Sequence, residues 1–100
     1  STHRHTLFPY TTLFRSVETL PEHIYFSFDI DGLKQQYCPN TGTPVAGGLE
    51  VDQVFYLLNQ VKKSGKKIIG MDLNEVGHDV WDANVGARVL YRMIGTWLAD

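Results

Sequence analysis

The chain has 100 residues, 43% of them apolar, and a formal net charge of −2. That length allows one domain or a piece of one, and that composition supports a core and argues against disorder. There is no basic stripe for nucleic acid and no apolar run near the ~18 residues of a membrane span. Cys38 is the only cysteine, so no internal disulfide forms and the compartment stays open; a lone cysteine in a loop reads as a bystander.

Residues 1–16, "STHRHTLFPYTTLFRS", show no sustained period. They lack the continuous apolar segment and small-residue cleavage site of a signal peptide. "TLFPYTTLFRS" resembles the conceptual translation of a sequencing-library adapter. We therefore expect residues 1–16 to be a non-native leader and residues 17–100 to be the C-terminal part of a larger domain. His3 and His5 are accordingly set aside as metal ligands.

From Val17 the pattern is regular. "IYFSFDI", residues 24–30, is apolar on both parities and predicts a strand buried on both faces. The next stretch, 32–48, holds Pro39, Gly42, Pro44, Gly47 and Gly48, and a loop of this length is usually functional. Val51, Val54, Phe55, Leu58 and Val61 then fall at helical spacing, and Ser64-Gly65 ends that helix after Lys62 and Lys63. "KIIGMDL", residues 67–73, predicts a second buried strand. A polar turn, "NEVGHDVW", leads to Asp82 as the expected N-cap of a last helix. Its stripe is Val85, Val89, Met93 and Trp97, widened by Leu90 and Ile94. Trp81, Tyr91 and Trp97 read as core or interface aromatics, and His23 and His78 as surface or loop histidines. The order is βαβα, so the fold class is α/β, a parallel sheet with flanking helices joined by a right-handed crossover.

Asp29 and Asp31 lie at the carboxyl end of the first strand, where open α/β sheets place their ligands. Strand alternation puts both on one side. Burying two carboxylates costs several kcal/mol unless something positive meets them. Two hard oxygen donors suit Mg²⁺ or Mn²⁺, although an Asp that caps the next turn would give the same pattern. Glu75, just past the second strand, emerges at the same edge and could hold a cationic substrate group.

"SFDIDGL…PNTGTPVAGGLE" resembles the C-terminal signature of the ureohydrolases, the arginase–agmatinase family, roughly S-x-D-x-D, a spacer, then P-x-T-G-T-P-x-x-G-G. "IIGMDLNEV" resembles the family's later segment ending in Glu-Val. The likeness runs from residue 24 to about 99 and implies an arginase-like three-layer α/β/α fold, of which only the C-terminal βαβα portion is present. It implies a binuclear manganese enzyme, with two Mn²⁺ per complete active site, that hydrolyses agmatine, arginine or another guanidino compound to urea and an amine. Asp29 would bridge the ions, Asp31 would chelate one, and Thr43 and Glu75 would meet the substrate guanidinium. It further implies a cytoplasmic homo-oligomer without nucleic-acid or membrane partners.

Lys34-Gln35 stands where the family usually has Asp-Pro, and Asn40 where Gly is common; both are expected to alter the loop rather than the chemistry. "VWDANVGARVLYRMIGTW" is not part of the general signature. The family's Gly-Gly-Asp-His and Asp-x-His-x-Asp segments do not occur in this chain, so the chain as it stands is expected to hold half a metal site and no catalytic group, and to be inactive. Two other functions compete. "FSFDIDGL" approaches the first motif of haloacid-dehalogenase-type phosphohydrolases, an Asp-nucleophile Mg²⁺ chemistry, but Leu33 replaces the expected Thr. A non-catalytic ureohydrolase-like subunit is the third reading, against which Asp29, Asp31 and Glu75 are all retained.

Overall fold

The computed structural model describes residues 17–99; the leader read over residues 1–16 lies outside the described residues. Strand β1 spans His23–Asp29 and strand β2 spans Lys67–Asn74, and they pair in parallel. Helix α1, Val51–Lys63, connects them, and helix α2, Val80–Leu98, follows β2. The βαβα order is as the apolar periodicities predict. No helix among the described residues is long and apolar enough to cross a membrane.

β1 stops one residue earlier than expected. Ile30–Gly32 forms a 3₁₀ turn, closed by the Leu33 N–H donating to the Ile30 carbonyl at 3.1 Å. A three-residue period brings positions 30 and 33 to one side, and Ile30 and Leu33 are both buried in the core. Asp31 thus sits on a turn at the strand's end, not in the strand's alternation.

The core lies on one face of the two strands. Ile24, Phe26, Phe28, Ile68, Met71 and Leu73 pack in one cluster with the stripes of both helices. Phe26 and Phe28, two positions apart, stack with ring centroids 6.2 Å apart. The other face carries Tyr25, Ser27, Asp29, Asp72 and Asn74, and Tyr25 is 56% exposed. Burial on both faces, expected from the strand composition, is therefore not met among the described residues. A bulge adds Ile69 between the Ile24–Ile68 and Tyr25–Gly70 pairs, leaving Ile69 61% exposed.

α1 buries Val54, Phe55, Leu58 and Val61, as the stripe predicts. Its start is a capping box: Glu50 and Gln53 each accept the other's backbone N–H. Ser64 and Gly65 end it, with Gly65 at φ +83°. α2 begins at Val80 with Asp79 at the N-cap, so the expected N-cap Asp82 falls instead inside the first turn, fully buried. Val89 and Met93 are buried and Val85 and Trp97 pack against the core, but Leu90 and Ile94 are 40% and 42% exposed and do not widen the stripe. Of the three aromatics read as core or interface, Trp97 packs and donates its indole N–H to the Ile68 carbonyl at 2.9 Å, whereas Trp81 and Tyr91 are exposed.

The long loop has structure of its own. Gln35–Tyr37 forms a second 3₁₀ turn. The neck is closed by Lys34 N–H to Leu49 O and Leu49 N–H to Gly32 O, both 2.9 Å. Gly48 is required there, since a Cβ would fall 2.4 Å from the Leu33 carbonyl oxygen. Above the neck the Lys34 ammonium meets Glu50 at 2.5 Å, and the Tyr37 hydroxyl donates to the same carboxylate. Lys34 and then Tyr37 hold the Glu50 carboxyl below its ordinary range, and Glu50 holds the Lys34 ammonium above its own.

Two predictions follow from this packing. Leu58→Ala should lower unfolding stability by about 2–5 kcal/mol, because Leu58 is fully buried, while Leu90→Ala should stay within about 0.5 kcal/mol; denaturant titration of both separates them. The Lys34–Glu50 pair should stabilise between the ordinary glutamate and lysine pKa values, about 4.3 and 10.4. The depressed Glu50 value means its share fades as pH falls through the folded-state value. The raised Lys34 value means its share fades as pH rises through that one. Lys34→Met should therefore cause a small loss of thermal stability near neutral pH, and none in ~1 M salt, since the pair is half-exposed.

Candidate metal and substrate site

Parallel pairing sets the ends of β1 and β2 side by side. Asp29 is in register with Asn74, so Asp31 and Glu75 leave the sheet at the same edge. Asp29 is exposed and Asp31 half-buried. Among the described residues no ammonium, guanidinium or imidazole lies within ion-pair distance of either. The burial that would make a positive partner obligatory is not met at Asp29, which water can solvate, and is only partial at Asp31. Nor do the described residues include a group of three or more His, Cys, Asp or Glu able to hold a metal ion. The donor chemistry, two hard carboxylates free of competing cations, fits part of a shell for a hard divalent ion.

The loop between the strands reaches both of their ends. Thr43 donates its hydroxyl to Asp31 Oδ2 at 2.6 Å, and Thr41, which is buried, donates to the Glu75 carbonyl oxygen at 2.6 Å. Three of the four residues singled out from the sequence, Asp31, Thr43 and Glu75, are therefore linked through one loop, and Asp29 ends the strand beside them. Glu75 has φ +70°, the only non-glycine residue in the left-handed region among those described. A glutamate there is unusual, and such outliers persist only where surrounding contacts hold them. The Thr41 bond to the Glu75 carbonyl is one such contact, and Val76 packed on Gly86 of α2, with no room for a Cβ beyond 3.0 Å, is another.

Sequence reasoning missed the anchoring of this loop. Cys38 is not a bystander: its thiol donates to Asp82 Oδ2 at 3.0 Å, and Asn40 donates to Asp82 through its backbone N–H and its side-chain amide. The available signal was the helical stripe, which runs 82, 86, 89, 93 and so includes the aspartate. A further cluster on the open sheet face centres on Asp72, which accepts from Ser27 at 2.8 Å and from Asn74 at 2.5 Å. Asp72 also holds the Tyr25 phenol above its ordinary value.

Among the described residues a groove of about 1030 Å³ is lined by Tyr37, Val51, Trp81, Arg88 and Arg92 among others. Its lining holds two guanidinium groups and no carboxylate, the opposite charge from the strand-end cluster.

The arginase family model matches residues 9–96. The chain is 40% identical over 82 residues to the N(1)-aminopropylagmatine ureohydrolase of Thermococcus kodakarensis, covering 79% of this chain and 28% of that protein. It is 45% identical over 53 residues to arginase-1 of Oryctolagus cuniculus, covering 53% of this chain and 16% of that protein. Among solved structures, a hypothetical agmatinase from Burkholderia thailandensis superposes with a TM-score of 0.73 at 31% identity, covering 94% of this chain and 31% of that one. The chain thus spans less than a third of the length of these relatives. With the family model matched over most of its length and a hypothetical agmatinase superposing on 94% of it, the chain belongs to the arginase family.

Proposed function

We propose that the complete protein is a manganese-dependent ureohydrolase that cleaves a guanidino compound to urea and an amine. Family membership supports the reaction class, and the names of the relatives, arginase, agmatinase and aminopropylagmatine ureohydrolase, share a guanidino substrate. The observation that carries the reading is that one loop bonds to both strand ends: Thr43 donates to the Asp31 carboxylate and Thr41 to the Glu75 backbone carbonyl, which gathers Asp31, Thr43 and Glu75 at one sheet edge.

Asp29 and Asp31 would supply carboxylate oxygen donors to the ions. Bound there, two manganese ions would supply Lewis acidity that lowers the pKa of a water molecule toward neutrality. The remaining work belongs to the chain. Glu75 would hold the guanidinium by charge-assisted hydrogen bonds and fix the orientation of its carbon. Thr43 keeps its proton engaged with Asp31, which leaves its oxygen lone pairs to accept a guanidinium N–H. Glu75 would also stabilise the positive charge that persists as the carbon becomes tetrahedral. The phosphohydrolase reading has no support from the family match.

In the complete protein, Mn²⁺ should be required for urea release from agmatine or arginine, and chelation should abolish it. Asp31→Asn should weaken manganese uptake measured by calorimetry. Glu75→Gln should lower kcat/KM by about 10²–10³ while uptake stays intact. Urea release that survives both chelation and Asp31→Asn would sink the proposal, as would phosphate release with Mg²⁺ in its place.

A further inference from the structure

Helix α2 opens with "VWDANVGARVL", a motif the guanidino chemistry does not use. Its Asp82 has no solvent exposure, and a carboxylate in that position is costly unless its oxygens are filled. They are filled from one direction. Oδ2 accepts the Cys38 thiol at 3.0 Å and the Asn40 backbone N–H at 2.8 Å, and Oδ1 accepts the Asn40 amide at 2.9 Å. Burial pushes the Asp82 carboxyl up, but the bonds from Cys38 and Asn40 outweigh it and leave the carboxyl below its ordinary value. Burial, and after it Asp82, holds the Cys38 thiol above its own, so the thiol stays a donor.

All three donors lie on residues 38–40, immediately before Thr41, which fixes the Glu75 carbonyl, and Thr43, which fixes Asp31. Gly77, two residues after Glu75, closes the cluster from the other side: a Cβ there would fall 2.5 Å from Asp82 Oδ2 and 2.6 Å from the Asn40 carbonyl. We propose that Asp82 is a positioning residue for the guanidinium site, clamping the 38–43 loop to the first turn of α2 so that Thr43 and Glu75 face one substrate in fixed register. This rests on the ureohydrolase reading above.

The clamp is geometric, so an amide should replace the carboxylate. In Asp82→Asn the side-chain oxygen keeps the backbone and thiol donors, and the new amide donates to the Asn40 side-chain oxygen once that side chain turns over. Asp82→Ala cannot do this.

The test uses the complete, manganese-loaded protein. Asp82→Ala should raise KM for the guanidino substrate about tenfold with kcat within about threefold, because positioning and not the reacting groups is lost. Manganese affinity should be unchanged. The Cys38 thiol should react faster with a disulfide reagent under native conditions. Asp82→Asn should restore the KM and the thiol protection. Gly77→Ala, which wedges the same cluster apart, should reproduce the alanine phenotype and serves if Asp82→Ala does not fold. Folded Asp82→Ala or Gly77→Ala with the parent KM overturns the proposal, and so does Asp82→Asn as impaired as Asp82→Ala. If the parent releases no urea from any guanidino compound, the ureohydrolase reading fails instead. Cys38 protection then decides the clamp alone, and a labelling rate unchanged in Asp82→Ala and in Gly77→Ala rejects it.

Discussion

Like charges set side by side repel, and the parallel pairing of β1 and β2 brings such charges to one edge here. Strands that run the same way end at the same edge, and each ends in acid: Asp29 with Asp31 after the first, Glu75 after the second. Antiparallel pairing would have put these groups at opposite edges. With no ion pair to any of these acids among the described residues, the edge is a patch of negative charge that favours positive ligands. A divalent ion and a guanidinium are both answers to it, and they differ in what they require. The ion needs hard oxygens at close range; the guanidinium needs planar acceptors held in a fixed orientation.

Orientation is the loop's task. A connection of this length would carry a large conformational entropy if it were loose. Its neck is closed by two backbone hydrogen bonds at Gly32, Lys34 and Leu49, and its middle is fastened by Thr41, Thr43 and Asn40 to three different elements. Backbone strain at Glu75 is tolerated because the residues on either side are held, its own carbonyl by Thr41 and Val76 by Gly86. A residue kept in the left-handed region by its neighbours has few alternatives to sample, which suits the guanidinium-binding role proposed for Glu75.

What the residues disclose on their own follows the range of the interaction. α1 was legible because Val54, Phe55, Leu58 and Val61 follow one another at helical spacing over about two turns, and β1 and β2 because of their apolar runs. The site residues became legible only through a family likeness, since Asp-x-Asp at a strand end also describes a turn cap. The Asp82 cluster was not legible: its partners lie 42 and 44 positions away, and no local period encodes a bond of that separation. The start of α2 failed for a nearer reason. Asp79 and Asp82 are both acceptable caps by type, and only the tertiary demand of the loop decides that the second turns inward. The open sheet face is what a part of a larger α/β fold leaves: two helices cover one face, and on the other Ser27 and Asn74 both donate to Asp72.

Lys34 and Asn40, the two departures from the family pattern in this loop, acquire a common meaning. Each finds an acid at the beginning of a helix: Lys34 pairs with Glu50, the N-cap of α1, and Asn40 bonds Asp82 in the first turn of α2. Acids at these positions already complement the positive end of the helix dipole. Here they also reach back to the loop, so one carboxylate serves helix and loop together. The two attachments differ in strength for a physical reason. Glu50 and Lys34 are half-exposed, so water and salt screen them, whereas Asp82 is out of solvent and takes three bonds from the loop. The loop is therefore slung between two helix N-termini, yielding near Lys34 and rigid near Asn40, and the rigid end is the one next to Thr41 and Thr43.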